Sequence, residues 1–200
     1  MPSLRLLGPA FCLTLACLFQ GCASIPLGTI AKLWSFDIDT ADPAVLRAAV
    51  RLPAYLAPRP GGVVLKVLTW ADGETDRHEH AFVLEESFEG AELAPLSTYR
   101  RKGDELHVYR VSAADVTVLR RLLADHREKK RTGKAKENGT IAVGAEACRR
   151  APLPSGPIPT STYLKLDERD GYLPLLIDLD LRNQLGESEL SKNIPPCAAS

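Results

Sequence analysis

His78-Glu79-His80 is the pair of histidines in this chain best spaced to hold a metal ion. Residues two apart on an extended strand project from the same face, so both imidazoles would offer a nitrogen to one cation. A third ligand would have to come from elsewhere, with Glu86, His107 and His126 as candidates. An exposed polar strand face is the competing reading. Asp178 and Asp180 share the spacing and would suit a carboxylate pair or a calcium ligand set. Acids facing solvent opposite a row of aliphatic residues account for them equally. Asp37 and Asp39 repeat the pattern where regular structure is harder to read. The chain has no Gly-x-Ser-x-Gly elbow, no phosphate-binding glycine loop, no His-Glu-x-x-His and no Cys-x-x-Cys, so it calls for no catalytic group and no cofactor.

The five cysteines divide by position. Cys12 and Cys17 lie in an opening segment in which Arg5 and the amino terminus supply positive charge. An apolar run follows from Leu6 to Phe19, and then the small residues Gly21, Cys22, Ala23 and Ser24. This is the three-part order of an export signal. A membrane-spanning helix needs about 20 apolar residues, whereas this run is shorter and interrupted by Gly8-Pro9. Export would leave Cys148 and Cys197 in a compartment that oxidises thiols, where a disulfide between them is expected; two separate buried thiols are the alternative. Cys22 is then the odd cysteine.

The junction Leu18-Phe19-Gln20-Gly21-Cys22-Ala23-Ser24 resembles the lipobox of bacterial lipoproteins. Gly21, Cys22 and Ala23-Ser24 fit that pattern, while Phe19 stands where Leu is usual and Gln20 where a small residue is usual. The resemblance implies cleavage before Cys22, diacylglycerol on its sulfur and a fatty acyl chain such as palmitate on the freed amino group. It also implies anchoring to a membrane, and the absence of Asp after the cysteine points to the outer membrane, facing the periplasm. Cleavage after Ala23, releasing a soluble periplasmic protein, is the alternative, because small residues also stand three and one before Ser24. The expected organisation is a signal peptide over 1–21, a lipidated tether over 22–41 and a single β-rich periplasmic domain over 42–200.

Arg5 is the only charged residue of the leader, so 24 of the 25 Lys+Arg face all 25 Asp+Glu in the mature chain. That balance gives no basis for nucleic acid as a partner, since phosphate binding wants a strong positive excess on one face. The one basic run, Arg127, Lys129, Lys130, Arg131, Lys134 and Lys136, suits the C-terminal end of a helix dipole. Close to a membrane it would also suit anionic lipid.

The elements that must position these residues are mostly strands. Leu46–Leu52 reads as a strand, with a helix through Val50 as the alternative. Val63–Trp70, between Gly61-Gly62 and the turn Asp72-Gly73, is the clearest strand, and Arg77–Glu86 returns antiparallel to it. Leu106–Val111, Thr140–Ala147, Thr162–Asp167 and Leu173–Leu181 follow. In the last, Leu173, Leu175, Ile177, Leu179 and Leu181 are expected on one face, with Asp178 and Asp180 on the other. Ser112 caps one amphipathic helix over about 113–131, its apolar stripe formed by Val116, Leu119, Leu122, Leu123 and His126. The fold class expected is therefore a β-rich α+β domain, with antiparallel, sandwich-like sheets of about seven short strands. The function expected is a non-enzymatic binding or structural role in the cell envelope. A metal-binding protein or enzyme using the His78/His80 face, and a carrier of small apolar ligands, are the alternatives.

Overall fold

The computed structural model describes residues 41–73, 75–133, 136–169 and 171–198. The segment expected to be an export signal, Cys22 at its junction, the Asp37/Asp39 pair and Lys134 lie outside the described residues. Among the described residues eight strands run in order: β1 (Arg47–Pro53), β2 (Leu56–Ala71), β3 (His78–Val83), β4 (Glu85–Ser87), β5 (Asp104–Arg110), β6 (Glu137–Arg149), β7 (Pro159–Lys165) and β8 (Tyr172–Asp180). Between β4 and β5 lie the short helix α1 (Gly90–Leu93) and a 3₁₀ segment, Ala94–Tyr99. The long helix α2 (Ala113–Thr132) joins β5 to β6, and α3 (Leu181–Leu185) and α4 (Glu187–Asn193) follow β8. This is a β-rich α+β fold of two antiparallel sheets, ordered β4-β5-β1-β7-β8 and β3-β2-β6.

β1 is a strand because it must be covered on both sides. It lies in the middle of the five-stranded sheet, pairing with β5 and β7, and from Ala48 onward every residue is buried. Ala48 faces the three-stranded sheet, joining Val63, Leu65 and Val67 of β2, Phe82 of β3 and Leu119 and Leu123 of α2 in one apolar cluster. Ala49 faces the other way, packing with Leu96, Val108, Tyr163 and Tyr172 beneath the α1 and 3₁₀ segment. A strand buried on both faces reads as a near-continuous apolar run. That is why Arg51, fifth in the strand, is conspicuous.

The α2 cap has the expected chemistry. Ser112 Oγ accepts from the Asp115 backbone N–H at 3.0 Å and donates to the Asp115 carboxylate at 2.8 Å, satisfying one of the N–H groups a helix start leaves open. Leu119, Leu123 and His126 are its buried residues.

Several strands depart from the sequence reading. The expected run Arg77–Glu86 divides at Leu84: β3 returns antiparallel to β2, whereas Glu85–Ser87 crosses to the other sheet and pairs with β5. β2 begins at Leu56 rather than Val63, because Pro58 and Pro60-Gly61-Gly62 are absorbed as an irregularity of the ladder between Pro58 and Val63. The prolines have no N–H to donate, and Gly61 at φ +69° supplies the backbone conformation the detour needs. In β8 the expected single apolar face is broken. Register shifts between Thr160 and Tyr163 of β7 change the pairing partway along, so Leu173 and Leu175 pack in the inter-sheet cluster while Ile177 packs on the opposite face. An irregularity of one residue exchanges the two faces of a strand.

Candidate functional site

Most of the residues whose types suggested chemistry are separated by the fold. His78 and His80 are exposed on β3 of the three-stranded sheet, opposite Thr69 and Val67. His107 and Glu86 belong to the other sheet, where His107 Nδ1 and Glu86 Oε1 lie 2.8 Å apart. His126 is buried in α2, its Nε2 3.3 Å from the Asn138 carbonyl. Among the described residues no three His, Cys, Asp or Glu side chains are placed to hold a metal ion. Asp178 and Asp180 also separate: Asp178 turns toward Arg51 and Arg101, while Asp180 accepts from the backbone N–H of Ile158 at 2.8 Å and of Arg182 at 3.0 Å. Arg127, Lys129, Lys130 and Arg131 lie in the last turns of α2 and Lys136 directly precedes β6, with Arg131 paired to Glu128 at 2.8 Å.

Cys148 and Cys197 are brought together, with sulfurs 2.06 Å apart. Their junction is reinforced on the backbone: Arg149 N–H donates to the Pro195 carbonyl at 2.8 Å and Cys197 N–H to the Arg149 carbonyl at 2.9 Å. The C-terminal segment is thus sewn to the end of β6.

The group assembled by the fold and not legible beforehand surrounds Arg51. Arg51 is only 5 % exposed, and burying an unpaired charge would cost far more than one side chain's apolar burial returns. Every nitrogen is therefore engaged. Nη1 donates to the Tyr99 carbonyl at 3.0 Å, Nη2 donates to Ser161 Oγ at 2.8 Å and to Asp178, and Nε lies 3.3 Å from Asp104 Oδ2. Asp178 is gripped a second time by Arg101, whose two terminal nitrogens donate to its two oxygens at 2.9 and 2.7 Å. Hydrogen bonding from Arg101, ahead of the opposing effect of burial, holds the Asp178 carboxyl below its ordinary value.

Beside this network the sheet edge opens into a notch of about 490 Å³. Its origin is a mismatch of strand lengths. β1 pairs with β5 along all of Asp104–Arg110, but β4 on the other side pairs only with Val108–Arg110. From Asp104 to His107 the outer edge of β5 therefore has no strand beside it among the described residues. Ser87 and Phe88 at the end of β4, Leu93 of α1, and Arg100 and Arg101 wall the gap. Ser87 Oγ, on a residue only 6 % exposed, and His107 Nε2 have no hydrogen-bond partner among the described residues. Glu105 Oε2 stands 3.5 Å from that His107 nitrogen and accepts instead from Arg150 at 2.7 Å. Phe88, by contrast, is 82 % exposed.

A second hollow, of about 770 Å³, lies among Arg149, Arg150, the 151–155 loop and α4 next to the disulfide. No family model matches the sequence, and comparison with curated proteins and with solved structures gave no match. The fold and the notch therefore rest on this chain's own geometry.

Proposed function

We propose that this chain is an exported lipoprotein, anchored to a membrane of the cell envelope through Cys22, whose β-rich domain binds another envelope component and carries out no chemistry of its own. The observation that carries the reading is the accounting of cysteines. With Cys148 joined to Cys197 and Cys12 and Cys17 in the leader, Cys22 is the one cysteine of the mature chain without a partner, and it sits at the junction of a lipobox. Thioether formation with diacylglycerol uses its sulfur. An oxidising compartment favours the disulfide, so the two features support each other.

Anchoring follows from acyl-chain number. One chain holds a protein to a bilayer only marginally, whereas a second or third, at about 0.8 kcal/mol per buried CH₂, makes the attachment effectively permanent. The balanced charge of the domain is in keeping with a protein-facing role.

The test is chemical. Mass spectrometry of the protein extracted from membranes with detergent should give an N-terminal fragment that begins at Cys22 and carries acyl mass. Cys22→Ala should move the protein to the soluble fraction or leave it unprocessed. A mature terminus at Ser24 without acyl mass would overturn the reading.

A further inference from the structure

We propose that residues 33–38 of the tether dock on the domain of their own chain, laying Trp34, Phe36 and Ile38 into an apolar mouth between the edge strands β6 and β8. The two sheets are closed against each other on one side and open on the other. On the closed side the chain crosses from β3 to β4, and Phe82 and Leu84 are buried there. The open side lies between β6 and β8, each paired with a single neighbour among the described residues. Val63, Leu65 and Val67 of β2 stand opposite Ala145, Val143 and Ile141 of β6, so the two rows share the inward face. The β2 row is sealed, at 1 % exposure or less, whereas Val143 and Ile141 are half-buried and Ala145 is exposed. Leu175 of β8 and Leu122 of α2 pack against the same cluster and are half-buried as well. A contiguous apolar row left open at the edge of a core is surface that calls for a cover.

The other edges do not offer this. In β3 the inward row passes from Phe82 to His80, which stands opposite Val67, so its open part is polar. Beside β5 the notch is lined by charged groups that already have partners, Asp104 with Arg51, Glu105 with Arg150 and Glu86 with His107.

The occupant is indicated by where the described chain starts. Ala41, its first residue, packs on the cluster that lines the mouth, and Asp42 is held to α2 by accepting from Arg120 at 2.8 Å. The residues just before Ala41 therefore leave from that cluster. Their pattern fits the mouth: Trp34, Phe36 and Ile38 alternate with Ser35, Asp37 and Asp39, so an extended chain turns three large apolar side chains to one side and three polar ones to the other. The lengths match, since Trp34 to Ile38 and Ile141 to Ala145 each cover about 13 Å at about 3.3 Å per residue. Only residues 39 and 40 lie between Ile38 and Ala41, and closing so short a loop costs little entropy. Docking also shortens the leash. With Cys22 lipidated as proposed above, residues 23–32 alone would span the gap to the bilayer, about 33 Å when extended, against about 60 Å for a tether free up to residue 40.

The experiment uses the full mature chain, solubilised in detergent. Engineered cysteine pairs report cleanly because Cys148 and Cys197 are already bonded to each other. On mild oxidation with copper phenanthroline, Phe36→Cys/Val143→Cys should form a disulfide about tenfold or more faster than Ser35→Cys/Val143→Cys or Phe36→Cys/His80→Cys, the advantage of a docked segment over random encounter on a flexible tether. Peptide mass spectrometry identifies the products and separates them from any Cys22 adduct. A second measurement leaves Phe36 in place. Trp70→Phe makes Trp34 the one remaining tryptophan, and its quenching by acrylamide should be weaker in the folded protein than in urea. Ala145→Asp should restore the quenching. Ala145 is exposed on the described domain, so a charge there disturbs docking and not the core, and it would leave shielding by a detergent micelle unchanged. Equal rates for the three cysteine pairs, or Trp34 quenching that matches urea or ignores Ala145→Asp, would overturn the proposal. A cross-link formed between two chains would give the mouth to the tether of a second copy and overturn it as well. Cleavage after Ala23 leaves residues 33–38 in place, so failure here and failure of the anchor are separate results.

Discussion

Arg51, in the centre of β1, donates to Asp178 on β8, across the intervening strand β7. The contact closes a network in which one buried guanidinium also meets Tyr99, Ser161 and Asp104. It ties the central strand to the sheet edge and to the chain segment that walls the notch. Removing the cation would leave Asp104 with no ion-pair partner among the described residues, whereas Asp178 would keep Arg101.

Arg51→Met is accordingly expected to lower unfolding stability by about 3–5 kcal/mol, the usual cost of breaking a buried pair from one side. Arg51→Met combined with Asp104→Leu should recover much of that loss, since replacing both partners removes the stranded charge. Urea unfolding of both variants, compared at unchanged m, measures the effect.

Asp178 gives the network a pH dependence. Its folded carboxyl is held below the ordinary value, chiefly by Arg101. Such a group contributes stability that is complete above the ordinary carboxylate range and is lost as pH falls through the folded value. Asp178→Asn retains a residue that tolerates φ +51° but gives up the charge. It should be less stable than the parent at pH 7, with the difference shrinking steadily below about pH 4. Thermal unfolding scanned from neutral to acid pH would show the two curves converging, and a constant gap would contradict the assignment.

Cys148 and Cys197 close a loop with a sequence separation of 49. In the chain-entropy description, a cross-link of that span stabilises by on the order of 4 kcal/mol. The Cys148→Ala/Cys197→Ala variant should lose that amount, and the parent should lose as much when unfolded with reductant present. Exchange at the Arg149 and Cys197 amides, which bond across the junction, should accelerate before exchange in β1.

Gly62 is required by space rather than by backbone angle. A Cβ there would stand 3.0 Å from both the Arg59 carbonyl oxygen and Glu146 Cβ. Gly62→Ala is therefore expected to destabilise by about 1–3 kcal/mol, seen as a lower Tm. Gly73→Ala meets no atom within 4 Å but sits at φ +86°, so its cost of about 1–2 kcal/mol would come from the backbone alone.

Local pattern determined much of this protein. The Ser112 cap, the α2 stripe ending at His126 and the turn at Asp72-Gly73 are set by neighbours in the chain, and the helix, the turn and most strands lie where those patterns put them. The resemblance of the Cys22 junction to a lipobox is likewise a reading of consecutive residues, as is the count of cysteines. Long-range pairing decided the rest. Alternation in β8 gave way at a register shift that depends on β7, and Pro58 to Gly62 joined a strand because β6 pairs with both ends of the detour. Arg51 carried a faint signal, a charge inside an apolar run, but nothing in the run names Asp104 or Asp178 as its partners. The notch depends on β4 being shorter than β5 and on the chain's path between them, a relation between lengths of elements that no local spacing encodes.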